Sequence, residues 1–145
     1  MCDFGLARGV DFDFNPTMST AYVQTRWYRS PELLLNNVKV SKQTDMWSVG
    51  CIMGELVGKK VLFRGSSPID QMHKILDILG TPPLEDIKGS DEGINFVREY
   101  PQRRPQSFSA LFPNLCPEGV DLLTKMLQFN HEKRITTEEA LRHPY

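Results

Sequence analysis

The sequence lacks the features that mark several large classes of protein. Its 145 residues carry 17 basic and 18 acidic side chains, and this balance gives no reason to expect a nucleic acid partner. No basic stretch followed by an apolar stretch opens the chain, as it would in a secretory signal. No apolar run approaches the ~20 residues of a membrane span. We therefore expect an intracellular protein with neither nucleic acid nor membrane as partner.

Cysteine is scarce and scattered. Cys2, Cys51 and Cys116 form no Cys-x-x-Cys pair, and no histidine stands near them at a metal-ligand spacing. Separate cysteines of this kind fit reduced thiols in an intracellular protein better than a disulfide framework. A chain of this length is one domain or part of one, and it is long enough to bury a single core.

Repeats, low-complexity tracts and the apolar–polar alternation of β-strands are also absent, whereas helix signals are present. Residues 30–35 begin with a serine, a proline and an acid in the order of an N-cap and a first turn, which predicts a short helix over 31–35. Over 45–57 the apolar residues fall on nearly every face. This pattern predicts a buried central helix that Asp45 opens.

Three more helices are predicted, at 67–80, 117–127 and 136–143. Thr136 and Glu139 have the spacing of a capping box at the start of the last one. Residues 81–115 hold five prolines, which predicts an irregular excursion with short helices at most. Residues 6–29 read as a loop, and a loop of this length in a compact domain is usually functional or disordered. The predicted fold class is mainly α.

Four motifs stand in an order that points to a family. They are Asp3-Phe4-Gly5, the run from Thr25 to Glu32, the run from Asp45 to Gly50, and Arg134. In this order they resemble the C-terminal half of a eukaryotic protein kinase, and the resemblance covers essentially the whole chain. The Trp-Tyr-Arg inside the second motif is similar to the group that holds mitogen-activated, cyclin-dependent and dual-specificity tyrosine-regulated kinases.

Two further segments narrow the resemblance. The end of the excursion, Leu111 to Asn114, and the helix after it are similar to the insert and the following helix of mitogen-activated protein kinases. Thr20-Ala21-Tyr22 resembles their Thr-x-Tyr phosphorylation lip. Ala21 departs from the Glu, Gly or Pro that is familiar there, which leaves the subfamily and the activating kinase open. The chain is identified as a member of the mitogen-activated protein kinase family.

The resemblance implies a fold and its divisions. We expect the helical C-terminal lobe of the protein-kinase-like fold, incomplete because the sequence holds neither an N-lobe nor a catalytic loop. Residues 1–145 would be a partial protein kinase domain. Its divisions would be an activation segment (1–32), a helical core (33–80), a kinase insert (81–115) and C-terminal helices (116–145).

Asp3 is the expected Mg²⁺ ligand. In the Asp-Phe-Gly motif of protein kinases, the Asp carboxylate holds Mg²⁺ against the nucleotide phosphates. A hard cation prefers carboxylate oxygen, and phosphoryl transfer needs the charge on the phosphates neutralised. The alternative for Asp3 is a solvated residue near the start of the chain.

Thr20 and Tyr22 are the expected regulatory phosphorylation sites. Each phosphate would add a charge of about −1.5 to −2, together with oxygens that accept hydrogen bonds. By resemblance, Arg26 and Arg29 would hold the phosphate on Tyr22, and Arg8 would join a cluster around the phosphate on Thr20. Arginine suits this role because its planar fork pairs two oxygens at once. The alternative is an unmodified, solvated loop.

Val23, Thr25 and Arg29 are the expected substrate-pocket residues. In relatives, Val23 and Arg29 would shape the pocket for the residue after the phosphoacceptor. This arrangement favours proline there, because proline carries no N–H that the pocket would leave unsatisfied. By the same resemblance, Thr25 would contact the catalytic loop.

Glu32, Arg134 and Asp45 are the expected structural residues. Glu32 and Arg134 should form a buried ion pair that clamps the activation segment to the helical lobe, or else they are two unrelated surface charges. Asp45 would either favour the start of its helix through the helix dipole or also hydrogen-bond the backbone of the catalytic loop.

Relatives also carry a hydrophobic pocket near the lip that docks Phe-containing peptides. Pro68 stands where an aromatic residue is common, and the alternative is that these side chains serve the core. The matching positions are Leu34, Leu35, Ile69, Met72 and Phe96.

The resemblance implies a proline-directed Ser/Thr protein kinase that transfers the γ-phosphate of ATP, with Mg²⁺ and ATP as cofactors. Its partners would be protein substrates with Ser/Thr-Pro and an upstream activating kinase, in the cytoplasm or the nucleus. The sequence holds no Gly-rich phosphate loop and no His-Arg-Asp loop, so we expect this chain alone to be inactive. The alternative is a non-catalytic, truncated lobe that acts as a protein-interaction module. In relatives the helix matching 45–57 packs against a preceding helix and the catalytic loop, which this sequence lacks, so an exposed apolar patch, self-association or poor solubility would follow.

Overall fold

A computed structural model describes residues 25–35 and 41–145, and these residues form short and medium helices without a strand. The prediction of a mainly α fold is confirmed for this part of the chain. Three 3₁₀ turns join the helices, at Arg26–Tyr28, Leu84–Asp86 and His131–Lys133. The helices are α1 (Pro31–Leu34), α2 (Lys42–Gly58), α3 (Pro68–Leu79), α4 (Asp91–Glu99), α5 (Phe108–Leu111), α6 (Pro117–Met126) and α7 (Thr137–Leu141).

Helix α2 is the longest helix of the described residues and begins three residues before the predicted start. Ser41 is the N-cap, and its backbone N–H donates to Thr44 Oγ1 at 3.3 Å. Asp45 therefore lies in the first turn and does not open the helix, which corrects the sequence prediction. The pattern of apolar residues does not reveal the start of α2, because its first residues, Lys42 and Gln43, are polar. The helix ends at Gly58, and the C-cap residue Lys59 has a left-handed φ of 53°.

One face of α2 is buried and the opposite face is not. Trp47 and Cys51 are 0% and 1% exposed. Val49, Ile52 and Leu56 are 46%, 50% and 75% exposed. The prediction of a buried helix is therefore wrong for this face, whereas the expected exposed apolar patch is present there. Among the described elements, α6, α7 and the 3₁₀ turns Arg26–Tyr28 and His131–Lys133 contact α2.

The core lies between α2, α3 and α6. Helix α3 begins with Ser67, whose hydroxyl accepts the N–H of Asp70 at 3.1 Å, and it turns Met72, Ile75 and Leu76 inward. Trp47 of α2 stacks on Phe63 with 5.6 Å between ring centroids. Burial of such large apolar side chains is the main source of stability for a domain of this size.

The predicted irregular excursion at 81–115 holds only short helices, as expected. Within the excursion the N–H of Thr81 donates to Arg103 O at 3.1 Å, and the N–H of Gln106 donates to Ile78 O of α3 at 2.8 Å. Asp86 accepts hydrogen bonds from Asn130 and Lys133 at 2.9 and 2.8 Å. The excursion is thereby bonded to α3 and to the segment 130–133.

No helix in the described part of the chain is long and apolar enough to cross a bilayer.

Candidate functional site

Glu32 of α1 and Arg134 meet across 102 positions of sequence. Arg134 Nη1 donates to Glu32 Oε1 at 2.9 Å, and Nη2 donates to Oε2 at 3.0 Å. The two side chains are 2% and 0% exposed. The buried ion pair expected from the motif order is therefore present, with the two parallel hydrogen bonds that arginine and a carboxylate form best.

Protein groups satisfy the rest of the Arg134 guanidinium. Nε donates to Gln128 O at 3.1 Å and Nη1 donates to Gln43 O at 2.6 Å. The guanidinium carbon also lies 5.2 Å from the ring centroid of Trp47. Thr44 donates to Glu32 Oε1 at 3.2 Å, so the first turn of α2 joins the same network. A buried charge needs such complete pairing to be tolerated.

The environment keeps Glu32 ionised. Burial alone would raise the pKa of its carboxyl, but the hydrogen bonds from Arg134 and the charge of that guanidinium together hold the pKa below its ordinary value. Glu32 is therefore a carboxylate at neutral pH, and the pair is a true ion pair.

The 3₁₀ turn Arg26–Tyr28 precedes α1 and rests on the segment before α3. Trp27 Nε1 donates to Gly65 O at 2.9 Å. The Tyr28 hydroxyl donates to Glu55 Oε2 at 2.6 Å, and Ser48 Oγ donates to Tyr28 O at 2.9 Å. Bonds to α2 on one side and to the Gly65 segment on the other hold the turn in place.

Gln71 links these parts from inside. It is 0% exposed. Its Nε2 donates to Phe63 O at 3.0 Å and to Trp27 O at 3.3 Å, and its Oε1 accepts the N–H of Gly65 at 2.9 Å. Sequence reasoning missed this residue. The available signal was a polar side chain next to Met72 on the apolar face of α3.

Three arginines lie in or beside the Arg26–Tyr28 turn. Arg26 Nη1 donates to Ser66 O at 2.5 Å. Burial and the charge of Arg26 lower the pKa of Arg29. The guanidinium carbon of Arg64 lies 5.2 Å from the ring centroid of Trp27. The structure thus places the predicted Arg26 and Arg29 together and adds Arg64, which sequence reasoning did not single out.

Several predicted site residues lie outside the described residues. They are the predicted metal ligand, the two lip phosphosites, one phosphate-pairing arginine and one pocket residue: Asp3, Thr20, Tyr22, Arg8 and Val23. Of the predicted substrate pocket, the structure describes Thr25 and Arg29, on either side of the Arg26–Tyr28 turn. The substrate-pocket roles of Thr25 and Arg29 stay predictions. Within residues 25–35 and 41–145, no group of three or more His, Cys, Asp or Glu side chains could hold a metal ion.

The predicted docking residues lie where α1 and α4 meet α3. Leu35 and Met72 are buried, at 3% and 2% exposure, whereas Ile69 is 60% exposed. Leu34 and Phe96 are partly buried against the core. These contacts give Leu34, Leu35, Met72 and Phe96 a packing role, and a docking role for the set stays a prediction.

Phe96 is also covered on one side by a histidine. The His73 ring stacks on Phe96 with 5.5 Å between centroids and on Tyr100 with 5.0 Å. The Tyr100 hydroxyl donates to Asp77 at 3.0 Å. This small cluster joins α3 to α4 beside the predicted docking residues.

The sequence profile described as the protein kinase domain matches residues 1–145. The chain belongs to the protein kinase family. Curated relatives include mitogen-activated protein kinase spm1 of Cytospora mali, which is 48% identical over 149 residues, and extracellular signal-regulated kinase 2 of Dictyostelium discoideum, which is 45% identical over 152. Mitogen-activated protein kinase p38a of Drosophila melanogaster is 46% identical over 145 residues.

The matches cover 100%, 100% and 99% of this chain and 36%, 41% and 38% of those relatives, in the same order. The chain therefore spans well under half of the length of the kinases that it matches. The interpretation of the motifs as a mitogen-activated protein kinase segment is confirmed by these similarities.

Proposed function

We propose that this chain is part of a proline-directed Ser/Thr protein kinase, which transfers the γ-phosphate of ATP to protein substrates. The observation that carries the proposal is the buried pair of Glu32 and Arg134. It anchors the Thr25–Glu32 segment, which would border the substrate, to the helical body. The kinase profile over residues 1–145 and the mitogen-activated relatives support the same reading.

The chemistry would depend on Mg²⁺ and ATP. Asp3 would hold the metal through its carboxylate, and the metal would neutralise charge on the phosphates. Val23, Thr25 and Arg29 would border the residue after the phosphoacceptor and favour proline there. An upstream kinase would switch the enzyme by phosphorylating Thr20 and Tyr22.

A chimera tests this proposal. This chain would replace the matching segment of the Dictyostelium relative, and phosphate transfer to a Ser-Pro peptide and to its Ser-Ala counterpart would be measured. We expect transfer at least about tenfold faster to Ser-Pro, since burying an unsatisfied polar group typically costs about 1–3 kcal/mol. Asp3→Ala should abolish transfer, and Tyr22→Phe should lower the activation obtained with an upstream kinase.

A chimera that folds and binds ATP but transfers no phosphate would contradict the kinase assignment. Equal rates on the two peptides would contradict only the proline preference. Thermal melting with and without Mg²⁺-ATP establishes folding and nucleotide binding before either conclusion is drawn.

One observation favours a second candidate, a non-catalytic interaction module. Helix α2 exposes Val49, Ile52 and Leu56, and an apolar patch of this kind often marks an interaction surface. For either candidate we propose that the 145-residue chain assayed alone with Mg²⁺-ATP gives only the background rate of its Asp3→Ala variant. Phosphate transfer above that background would exclude the module.

A further inference from the structure

The surface around the Arg26–Tyr28 turn concentrates positive charge. Arg26 donates a hydrogen bond to the carbonyl of Ser66. Arg64 belongs to the same segment as Ser66, and its guanidinium lies over the Trp27 ring. Within the described part of the chain, neither arginine has a carboxylate within ion-pairing distance. Burial and, after it, the charge of Arg26 lower the pKa of Arg29. Like charges on one surface raise the free energy of the isolated chain unless an anion joins them.

Arg64 is held in place although it is exposed. Its guanidinium lies 5.2 Å from the Trp27 ring centroid, and the indole itself is fixed by its hydrogen bond to Gly65 O. The buried Gln71 fixes the backbone on both sides of this contact. A guanidinium supported in this way loses less conformational entropy on binding than one that moves freely in solvent.

The acids of the neighbouring segments are already engaged. Asp70 accepts the N–H and the hydroxyl of Ser66 at 2.8 and 2.9 Å, and it lies 3.8 Å from Lys74. Glu55 accepts the hydroxyl of Tyr28. Asp70 lowers the local positive potential but offers neither Arg26 nor Arg64 an ion pair. Both arginines can therefore take an external oxyanion.

We propose that Arg64, together with Arg26, recognises an acidic side chain of the protein substrate and selects Ser-Pro or Thr-Pro sites followed by acidic residues. The inference rests on the proposed function, because that function lays the substrate along the Thr25–Glu32 segment. The carboxylate would accept hydrogen bonds from the Arg64 guanidinium, while the Trp27 ring supports the opposite face of that group. A phosphate on the lip of this same chain has similar chemistry, and the experiment separates the two sources.

The experiment measures peptide binding by the 145-residue chain, so that it does not depend on phosphate transfer. Fluorescent Ser-Pro peptides carry three Glu, three Gln or three Lys residues at the second to fourth positions after the serine, and anisotropy gives each Kd. We expect the Glu peptide to bind about three- to tenfold tighter than the Gln peptide, as one or two partly exposed charge-assisted contacts allow. The preference should shrink as salt is raised.

Variants test whether Arg64 is responsible for the preference for the Glu peptide. Arg64→Ala should reduce it to less than about twofold and Arg64→Glu should invert it toward the Lys peptide, because the sign of the charge decides which partner is attracted. Arg104→Ala is the matched control, since Arg104 is an exposed arginine in another segment, and it should keep the preference. Equal melting temperatures for all variants show that the chain stays folded.

Three results would overturn the inference. The first is equal affinity for the Glu and Gln peptides, and the second is a preference that survives Arg64→Glu. The third uses the chain phosphorylated at Tyr22. If that form no longer binds the Glu peptide, and Arg64→Ala lowers its melting temperature more than that of the unphosphorylated chain, the anion is the lip phosphate.

The inference and the proposed function can fail separately. A chimera that phosphorylates Ser-Pro peptides, while the chain shows no preference for acidic peptides, would remove the role of Arg64 and leave the kinase assignment intact. The converse result is a chain whose preference for acidic peptides is lost in Arg64→Ala, while its chimera transfers no phosphate. That result would support the anion site at Arg64 and contradict the kinase assignment.

Discussion

At the scale of single residues, the ion pair between Glu32 and Arg134 is expected to contribute strongly to the free energy of unfolding. Arg134→Ala leaves the Glu32 carboxylate buried without a partner and removes the bonds to the carbonyls of Gln43 and Gln128. Loss of one partner of a buried pair typically costs about 3–5 kcal/mol. We expect Arg134→Ala to lower the free energy of unfolding by about this amount, measured by urea denaturation at pH 7.

The matched control is Arg142→Ala, because Arg142 is an exposed arginine and its loss should change stability by less than about 0.5 kcal/mol.

Urea denaturation at acidic pH is a second test of the Glu32–Arg134 ion pair. The pKa of Glu32 is lowered in the folded state, so its contribution is present above the unfolded pKa and is lost as the pH falls through the folded pKa. The difference between wild type and Arg134→Ala should therefore shrink in acid. Equal losses for Arg134→Ala and Arg142→Ala would show that the pair does not stabilise the fold.

At the scale of elements, Gly65 decides whether the 26–28 turn can rest against α3. A Cβ at this position would lie 2.5 Å from Gln71 Cα and 2.6 Å from Gln71 N. Backbone atoms cannot move away as the end of a side chain can, so the two segments would have to separate. We expect Gly65→Ala to lower the free energy of unfolding by about 1–3 kcal/mol, as overpacking typically does.

Near-ultraviolet circular dichroism of Trp27 and Trp47 would report the displacement. The matched control is Lys60→Ala, an exposed site shortly before Gly65, which should leave both signal and stability unchanged. If the Gly65→Ala chain is as stable as wild type, the close approach of Gly65 to Gln71 does not hold the turn.

The elements also show what could be predicted from sequence. Short-range signals located α1, α3, α6 and α7 because serine, threonine and proline at their starts act through neighbouring residues. The order of motifs located the Glu32–Arg134 pair. The start of α2 was missed because the apolar period begins only after Lys42 and Gln43. Gln71 and Arg64 were missed because their roles come from contacts with Trp27, roughly forty positions away, and no local pattern encodes such contacts.

At the scale of the whole molecule, the chain buries one side of its longest helix and leaves the other side open. The buried side carries Trp47 and Cys51 in the single large core cluster of the described residues. The open side carries Val49, Ile52 and Leu56, one helical face that water contacts in the chain as described. We therefore expect the buried face of α2 to contribute to stability and the exposed face to affect association, and substitutions on each face can test the two separately.

We therefore expect the isolated chain to self-associate through this face of α2. The double variant Ile52→Glu and Leu56→Glu should shift the mass measured by light scattering toward that of a monomer, because it places charge on the exposed apolar surface. Both side chains are at least half exposed, so the free energy of unfolding should change by no more than about 1 kcal/mol. Lys59→Glu with Lys60→Glu alters charge at exposed positions next to the helix and should leave the association unchanged. A wild-type chain that is monomeric at all concentrations, or one whose association follows the lysine control as well, would show that this face does not drive assembly.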